Sequence, residues 1–280
     1  MSIERLVLVP TPIGNLADIT RRAAEVLAAA DVVAAEDTRH SGQLLRHLGL
    51  ERPLQRLDAH TIQSRAPRLL DQEEGTLAFI TDAGTPGISD PGAELVRLAL
   101  QRDIAVESLP GPTAFVPALV VSGLDTARFT FEGFLPRKGS ARNERLTRIA
   151  VSDATSLIYE SPNRVAATLK DLAAACGDGR PASCSREISK RFEETVRGSL
   201  AELAGHFAAT EPRGEFVICV AANPQPEAGA AAAADLKGLA ARLAAAGLGR
   251  KDLRAALELA GASRNQAYEL SLTSGSRKLQ

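Results

Sequence analysis

The sequence predicts an α/β protein of two α/β domains, followed by a small helical module. Three observations lead to this prediction. Short apolar runs alternate with helical patterns in the first half of the chain, strand-like runs dominate the second half, and a proline- and alanine-rich stretch precedes the last helical patterns. Alternating strands and helices are typical of a parallel sheet, and a low-complexity stretch interrupts a compact domain. A chain of 280 residues is long enough for this organisation.

The first predicted domain covers residues 1–120. Its apolar runs and the helical patterns between them predict strands at 6–9, 32–35, 77–81 and 104–109, and helices at 21–30, 38–48 and 92–101. Asp18 and Asp90 stand just ahead of two of these helical patterns, where a carboxylate can accept hydrogen bonds from the free amides of the first turn. The pattern therefore predicts repeated βαβ units with a largely parallel sheet.

The second predicted domain covers residues 121–222. Residues 129–134 alternate as a half-buried strand does, further strand-like runs lie at 156–160, 182–187, 193–197 and 216–220, and helical patterns lie at 142–150 and 164–175. Fewer helices separate these strands, so we expect more antiparallel pairing here than in the first domain.

Residues 223–234 are predicted to be a linker, because they combine paired prolines with a run of alanines. Helical patterns follow at 236–246 and 250–260, and a third helix is predicted to start at Ser263 after a stop at Gly261. Residues 235–280 therefore resemble a small helix-turn-helix unit.

The composition is that of an ordinary globular protein, with 45% hydrophobic and 24% charged residues. No apolar run is long enough to span a bilayer, and the chain enters a predicted strand directly, so we expect a cytoplasmic protein. The cysteines and histidines show no metal-ligand or disulfide spacing: Cys176, Cys184, Cys219, His40, His47, His60 and His206. We therefore predict no metal site and no disulfide.

Three predicted strands of the first domain each end in a loop rich in glycine and proline, at residues 10–16, 82–92 and 110–114. The carboxyl ends of parallel strands meet at one edge of a sheet, where α/β proteins bind ligands. Neither phosphate-binding glycine motif is present, and Pro10 and Pro12 lack the amides that would hold a phosphate. The loops therefore favour an adenosine-like or amino-acid-like ligand held through scattered backbone contacts.

The charge is unevenly distributed. The net charge is −1, yet residues 235–280 carry eight Lys or Arg and four Asp or Glu. A second basic cluster, with Glu144 as its one acid, consists of Arg137, Lys138, Arg142, Arg145 and Arg148. Two basic patches on an acidic body predict contact with a polyanion, and the alternative is that each is a solvated helix face.

The succession of several sequence segments resembles that found in the tetrapyrrole-methylase-like family. The segments are PTPIGNLADIT at 10–20, AEDTR at 35–39, DAGTPGISDPG at 82–92 and PGPTA at 110–114, with further agreement at 131–138, 159–164, 186–190 and 214–216. The similarity runs in order from about residue 5 to residue 221. Within the family, the chain is similar to the branch that methylates the ribose of a cytidine in 16S ribosomal RNA.

The resemblance implies a homodimeric, S-adenosylmethionine-dependent methyltransferase with its cofactor in a cleft between two α/β domains. By position, the cofactor would contact Pro12, Gly14, Asp82, Ala83, Gly84, Thr85, Gly87, Pro110, Gly111, Pro112 and Thr113. In the tetrapyrrole enzymes the first loop carries several glycines and an acid, whereas here it has a single glycine. The branch that acts on RNA shares this departure, so it weakens the tetrapyrrole interpretation more than the cofactor assignment.

The resemblance also supplies catalytic candidates. A ribose hydroxyl is a weak acid, so a general base would help the transfer. Candidates in the matching segments are Glu36, Asp37, Lys138, Glu160, Glu187 and Lys190, each of which has an interdomain or strand-end ion pair as its alternative role. No single base is assigned from the sequence.

The implied partner is 16S ribosomal RNA in the small subunit. We expect contacts to its phosphates from Arg39, Arg137, Lys138, Arg142, Arg145 and Arg164. Aromatic residues make up 4% of the chain, so phosphate and shape contacts are expected to dominate over base stacking.

Two other functions stay open at this point. One is carbon methylation of a tetrapyrrole of the precorrin type, again with S-adenosylmethionine as donor. The other is a non-catalytic RNA-binding assembly factor of the ribosome that keeps a vestigial cofactor pocket. The basic tail suits the second alternative, but three ligand loops would then have no role.

Overall fold

The computed structural model describes residues 3–210, 212–224, 230–260, 262 and 264–274. The chain divides into two compact units, one up to Ala222 and one from Asn223 onward. The first unit contains two five-stranded sheets with their helices, and the second consists of helices. This is the two-sheet α/β architecture with a small helical module that the sequence predicts.

The first sheet is entirely parallel. Its strands are β1 Ile3–Leu8, β2 Val32–Ala35, β3 Leu54–Arg56, β4 Gly75–Ile80 and β5 Ala105–Ser108, in the order β3-β2-β4-β1-β5. Helices α1 Arg21–Ala29, α2 Thr38–His47, α3 Ile62–Gln72 and α4 Gly92–Leu100 connect the strands. Thr20 caps α1 by accepting a hydrogen bond from the backbone of Ala23, so the cap is two residues after the predicted Asp18.

Both faces of the first sheet are buried. Leu77 and Phe79 of β4 belong to one apolar cluster, whereas Ala78 and Ile80 of the same strand belong to another. Successive side chains of a strand point to opposite faces, so a strand covered on both sides needs apolar residues at every position. This requirement explains the continuous apolar runs at 32–35 and 77–80 in the central strands β2 and β4.

The second sheet is mostly antiparallel. Its strands are β6 Phe129–Phe134, β7 Thr155–Glu160, β8 Pro181–Arg186, β9 Glu194–Ser199 and β10 Phe216–Val220, in the order β6-β7-β10-β8-β9. The β6–β7 pair is parallel and the other three pairs are antiparallel, as expected from the sequence. Helices α6 Ser140–Val151, α7 Val165–Cys176 and α8 Leu200–Ala209 contribute to an apolar cluster on one face.

Helix α5, Phe115–Ser122, lies between the two sheets in the chain and packs on the second one. Its Ala118 and Leu119 form an apolar cluster with Leu157 of β7 and Val217 of β10. The helix spans the domain boundary predicted at residue 120. A division of this unit into two domains would therefore fall before Phe115, and the domains themselves stay a prediction.

Four elements are absent from the sequence prediction. Strand β3 has three residues and α5 is apolar on most sides, so neither shows a clear period, whereas α3 buries residues at helical spacing, Ile62, Ala66, Leu69 and Leu70, but contains Pro67. Helix α8 does carry a signal, because Ser199 and Glu202 form a capping box at its start. That S-x-x-E spacing could have revealed the helix.

The C-terminal unit contains α9 Ala230–Ala245, α10 Arg250–Leu259 and α11 Arg264–Ser274. Leu236, Leu253 and Leu257 lie in its apolar cluster. The linker predicted up to residue 234 is wrong from Ala230 onward, because the alanine run is helical, and alanine has the highest intrinsic helix propensity. The predicted stop at Gly261 and cap at Ser263 lie outside the described residues.

Two kinds of feature are absent from the described ranges. These ranges contain no helix that combines the length and the apolar character needed to cross a membrane. They also contain no cluster of three His, Cys, Asp or Glu side chains arranged to hold a metal ion. Cys184 and Cys219 are buried free thiols, and burial raises the pKa of Cys219 to about 11, so both behave as small packing residues.

Candidate functional site

The three glycine- and proline-rich loops lie together at one edge of the first sheet. They follow β1, β4 and β5, which are neighbours in that sheet. Thr11 and Gly84 exchange two backbone hydrogen bonds of 3.0 Å, and the Thr85 hydroxyl donates to the carbonyl of Pro112 over 3.0 Å. The prediction that these loops meet at one sheet edge is confirmed.

The first cavity, of about 510 Å³, opens where these loops face the second sheet. The first sheet contributes Thr81–Thr85, Ser89 and Asp90 after β4 and Thr113 and Ala114 after β5. The second sheet contributes residues 159–162 at the end of β7 and 215–217 at the start of β10. The antiparallel β7–β10 pair sets Glu160 opposite Phe216, which explains why these two segments line the same wall.

The second cavity, of about 400 Å³, adjoins the first. It is lined by Thr11–Gly14 and Leu16 of the first loop, by one face of α2 and by Lys190. Five residues line both cavities: Ile13, Thr81, Asp82, Ala83 and Glu215. The segment at the carboxyl end of β4 therefore forms a common wall.

The predicted cofactor residues divide into three groups. The first cavity is lined by Asp82, Ala83, Gly84, Thr85 and Thr113. The second is lined by Pro12 and Gly14, together with Asp82 and Ala83. Neither cavity is lined by Gly87, Pro110, Gly111 or Pro112, which shape the loops instead: the Gly87 amide donates to Asp90, Gly111 packs on Pro10, and Pro112 accepts from Thr85.

Two glycines of these loops are required by geometry. Gly84 has φ +82°, a left-handed conformation that costs other residues free energy. A Cβ at Gly14, where φ is +142°, would collide with the side chain of Lys190. The side chain of Lys190 therefore lies directly over residue 14, and a Cβ there would displace it.

Carboxylates give the first cavity a negative wall. Burial raises the pKa of Glu36, and the negative charges of Asp82 and Asp90 raise it further, while a hydrogen bond from the Asp82 amide opposes this. Asp90 accepts hydrogen bonds from the amides of Gly87, Ile88 and Gly92, which fixes the turn before α4. This wall favours a positively charged group in the ligand.

The structure separates the six catalytic candidates. Glu36 and Glu160 line the first cavity and Lys190 lines the second, whereas Asp37, Lys138 and Glu187 line neither. Glu160 is buried and lies 3.3 Å from the Arg164 guanidinium. It also accepts from the Thr168 hydroxyl over 2.7 Å.

The remaining candidates have structural partners or stay exposed. Asp37 caps α2 through the amides of Arg39 and His40, and these hydrogen bonds hold its pKa below the ordinary value. The Lys190 ammonium lies 2.9 Å from both Glu187 and Glu215. Lys138 is exposed.

The residues predicted to contact RNA fall into an exposed group and a group with partners inside the protein. Arg39, Arg137 and Lys138 are exposed. The Arg145 guanidinium donates to Glu132, and that of Arg164 donates to the Leu135 carbonyl.

Arg142, which was predicted to contact RNA, is buried and has its partners within the protein. Its side chain is 9% exposed, and its guanidinium donates to Asp171, the Pro136 carbonyl and the Thr168 hydroxyl. Arg142 therefore holds α6, α7 and the preceding loop together, and its charge is paired inside the protein.

Tyr159 is a site residue that the sequence analysis missed. Burial raises the pKa of its phenol, which bonds the Thr113 hydroxyl and the backbone of Ala114 and Phe115. Its ring packs against Phe131 and Phe134 with centroid distances of 4.9 and 5.7 Å. Tyr159 lies in the segment 159–164 that agrees with the family, and this agreement was the sequence signal that could have identified it.

Comparisons with known proteins agree with this architecture. Residues 5–204 match the family model of the tetrapyrrole (corrin/porphyrin) methylases. A crystal structure of diphthine synthase is similar with a TM-score of 0.61 and 15% identity over 78% of this chain and 90% of that one. A Thermus thermophilus uroporphyrin-III C-methyltransferase complexed with S-adenosylhomocysteine is similar with a TM-score of 0.54 and 20% identity over 78% and 97%. At these identities the likeness shows the fold.

Three curated relatives are more similar in sequence, and all are named ribosomal RNA small subunit methyltransferase I. The Xylella fastidiosa (strain Temecula1) protein is 48% identical over 76% of this chain and 80% of its own length. The Synechocystis protein is 40% identical over 95% and 97%, and the Escherichia coli O157:H7 protein is 42% identical over 96% and 94%. The chain therefore belongs to the tetrapyrrole (corrin/porphyrin) methylase family and, within it, to the group of ribosomal RNA small subunit methyltransferase I proteins.

Proposed function

We propose that the protein transfers a methyl group from S-adenosylmethionine to the ribose 2′-hydroxyl of a cytidine in the decoding region of 16S ribosomal RNA. The observation that carries the proposal is the 40% identity to the Synechocystis relative over 95% of this chain, since that relative is named for methylation of small-subunit ribosomal RNA. The choice of cytidine and of the 2′-oxygen rests on the family resemblance of the loop segments.

The first cavity has the chemistry to hold S-adenosylmethionine. Glu36, Asp82 and Asp90 provide negative charge that suits a sulfonium and an ammonium group. Ile88, Ile188 and Val217 provide apolar surface, and the buried Thr81 hydroxyl lacks a hydrogen-bond partner among the described residues. When bound, the sulfonium compound supplies an activated methyl group.

The protein's own residues then have two tasks, to orient the ribose hydroxyl and to take its proton. Glu36 is the general base that we favour. Among the six candidates, Glu36 and Glu160 line the first cavity, and Glu160 is already bound by Arg164 and Thr168. No ion pair holds Glu36 within the described residues, and its raised pKa makes it a stronger base than an ordinary glutamate.

The exposed Arg39, Arg137 and Lys138 are proposed to contact RNA phosphates. The substrate is proposed to be the small ribosomal subunit rather than a free nucleoside. Location in the cytoplasm and assembly as a homodimer are parts of the same proposal, and both rest on the family resemblance.

The test uses recombinant protein, labelled S-adenosylmethionine and small ribosomal subunits that lack the modification. We expect label in 16S RNA, in one cytidine of the decoding region, at an alkali-resistant phosphodiester that marks a 2′-O-methyl group. Transfer to a precorrin-type substrate and none to RNA would favour the tetrapyrrole alternative. Absence of S-adenosylmethionine binding in calorimetry would favour the assembly factor.

A further inference from the structure

One side of helix α10 in the C-terminal unit carries basic residues. Successive residues of an α-helix are rotated by about 100°, so Arg250, Lys251 and Arg254 fall within less than a third of its circumference. The acidic Asp252 falls on the opposite side by the same rotation. Leucines of this helix are buried in the apolar cluster of the unit, next to the basic residues. Helix α10 therefore has a basic stripe beside its buried face.

Two of the three cations in this stripe have no charged partner among the described residues. Arg250 and Lys251 are exposed, whereas the Arg254 guanidinium lies 3.2 Å from the Glu258 carboxylate. Arg250 and Lys251 also stand in the first turn of α10, where the positive end of the helix dipole disfavours a cation. The stability of the helix therefore does not explain these two residues, whereas an external anion would.

An exposed tyrosine lies beside the stripe. The Arg254 guanidinium is 5.7 Å from the ring centroid of Tyr268 on α11, and Tyr268 is 52% exposed. The other tyrosine of the chain, Tyr159, lines the first cavity. RNA-binding proteins stack unpaired bases on aromatic rings and on the planes of arginine guanidinium groups. Arg254 and Tyr268 together have the chemistry of such a platform.

The charge and the ring together select the class of partner. Any polyanion would suit Arg250 and Lys251, but a lipid headgroup or an acidic protein surface offers no planar base for the ring of Tyr268. RNA supplies phosphates and bases at once. The curated relatives of this chain are named for ribosomal RNA of the small subunit.

We propose that Arg250, Lys251 and Tyr268 form a surface that binds ribosomal RNA of the small subunit, with phosphates on the two cations and an unpaired base on the tyrosine. This inference rests on the proposed function, because it names a further contact to the same RNA. The chain joins the two units, so RNA held by the C-terminal unit stays at high local concentration for the N-terminal unit. The surface should therefore set the affinity for the substrate and leave the transfer step unchanged.

The first test removes the two unpaired cations from the full-length protein. The double variant Arg250→Gln/Lys251→Gln should raise the KM for small ribosomal subunits about tenfold and reduce the slope of log affinity against log salt by about 2, since each phosphate contact contributes about 1. The kcat at saturating subunits and the affinity for S-adenosylmethionine should equal those of wild type. Filter binding over a range of salt concentrations measures the slope, and calorimetry measures the cofactor affinity.

The matched control is Arg65→Gln/Arg68→Gln. Arg65 and Arg68 are exposed, lie three residues apart on α3, have no ion pair with a described residue and line neither cavity. Both double variants remove the same charge, so a general electrostatic effect would weaken RNA binding equally in the two. Equal KM values and salt slopes for the two double variants would overturn the inference.

The second test concerns the ring of Tyr268. Tyr268→Ala should weaken binding of small subunits about fivefold or more, the effect of losing one stacked base, whereas Tyr268→Phe keeps the ring and should bind as wild type does. The side chain is half-exposed, so both variants are expected to fold. Wild-type affinity of Tyr268→Ala, or equal weakening in both variants, would contradict the stacking role.

A photo-crosslink identifies the class of partner. Full-length protein with p-benzoylphenylalanine in place of Tyr268 is irradiated in complex with small ribosomal subunits. We expect the cross-link on 16S RNA, at a nucleotide that primer extension then locates. A cross-link to ribosomal proteins alone would overturn the inference in favour of a protein partner.

The proposed function and the surface fail in different ways. If wild-type protein methylates small subunits and Arg250→Gln/Lys251→Gln does so with wild-type KM and salt slope, the surface is wrong and the proposed function stands. If wild-type protein transfers no methyl group to RNA, but Arg250→Gln/Lys251→Gln binds subunits more weakly than its control, the proposed function fails and the RNA-binding surface stands.

Discussion

The two sheets of the N-terminal unit contribute to the site in different ways. The parallel first sheet gathers the loops after β1, β4 and β5 at one edge and supplies mainly backbone and small side chains. The mixed second sheet supplies larger side chains, such as Tyr159 and Phe216, where β7 ends beside the start of β10. Parallel pairing collects several strand ends, whereas an antiparallel pair brings one end and one start together. The loop backbone of this site thus comes from the first sheet, and its larger side chains come from the strands of the second.

The largest expected effect comes from replacing Glu36, the carboxylate that follows strand β2 of the first sheet. Glu36→Gln should lower methyl transfer by about 100-fold or more, since it removes the proposed base. Asp37→Asn is the control, because Asp37 lines neither cavity and asparagine also caps helices. Single-turnover transfer to small subunits measures both variants. A Glu36→Gln rate close to that of Asp37→Asn would exclude Glu36 as the base.

The raised pKa of Glu36 leads to a second prediction for Glu36→Gln, which concerns the pH dependence of methyl transfer. Wild-type transfer should rise with pH through this pKa, because the base must be ionised, and Glu36→Gln should lose that dependence. The native state holds the Glu36 proton more tightly than the unfolded chain, so this group's contribution to stability is lost as pH rises through the native pKa. Thermal unfolding at neutral pH should therefore show Glu36→Gln at least as stable as wild type.

The next effect tests the backbone of the first-sheet loops. Gly84→Ala should weaken S-adenosylmethionine binding about tenfold or more, since backbone strain of about 1–3 kcal/mol at φ +82° displaces a loop that lines the first cavity. Gly139→Ala is the matched control, with φ +86° and no cavity contact. Calorimetry measures the affinities, and equal losses in both variants would assign the effect to general strain.

A smaller effect should distinguish structural from RNA-binding arginines beside the second sheet. Arg142→Ala should lower the free energy of unfolding by about 2 kcal/mol, because it breaks charge-assisted hydrogen bonds to Asp171 and Thr168. Urea unfolding measures this change. RNA affinity of the folded variant should equal that of wild type, and a large loss of affinity at unchanged stability would restore Arg142 as an RNA contact.

The smallest effect concerns the exposed neighbour of that cluster. Arg137→Ala should weaken binding of an RNA hairpin from the 16S decoding region severalfold and reduce the slope of log affinity against log salt by about 1, as the loss of one phosphate contact does. Its stability should match that of wild type. Anisotropy titrations over a range of salt concentrations measure the slope, and an unchanged slope would remove Arg137 from the RNA surface.

The sequence predicts the first-sheet side of the site well because its constraints are local. Glycine and proline follow buried strands, and the parallel topology then brings the loops together. The second-sheet side depends on long-range packing. Tyr159 looks like an ordinary strand residue until β7 and β10 pair, and the direction of the Arg142 side chain is decided by Asp171, which lies on another helix. Neither relation has a local pattern in the sequence.

The attachment of helix α5 has a consequence for motion within the N-terminal unit. The loop 110–114 leaves β5 of one sheet, and the chain then enters α5, which is buried against the other. Any change in the angle between the two sheets must be absorbed between Ser108 and Phe115, the stretch that holds Thr113 in the first cavity. A small molecule that contacts Thr113 would therefore bind the segment through which any such change must pass.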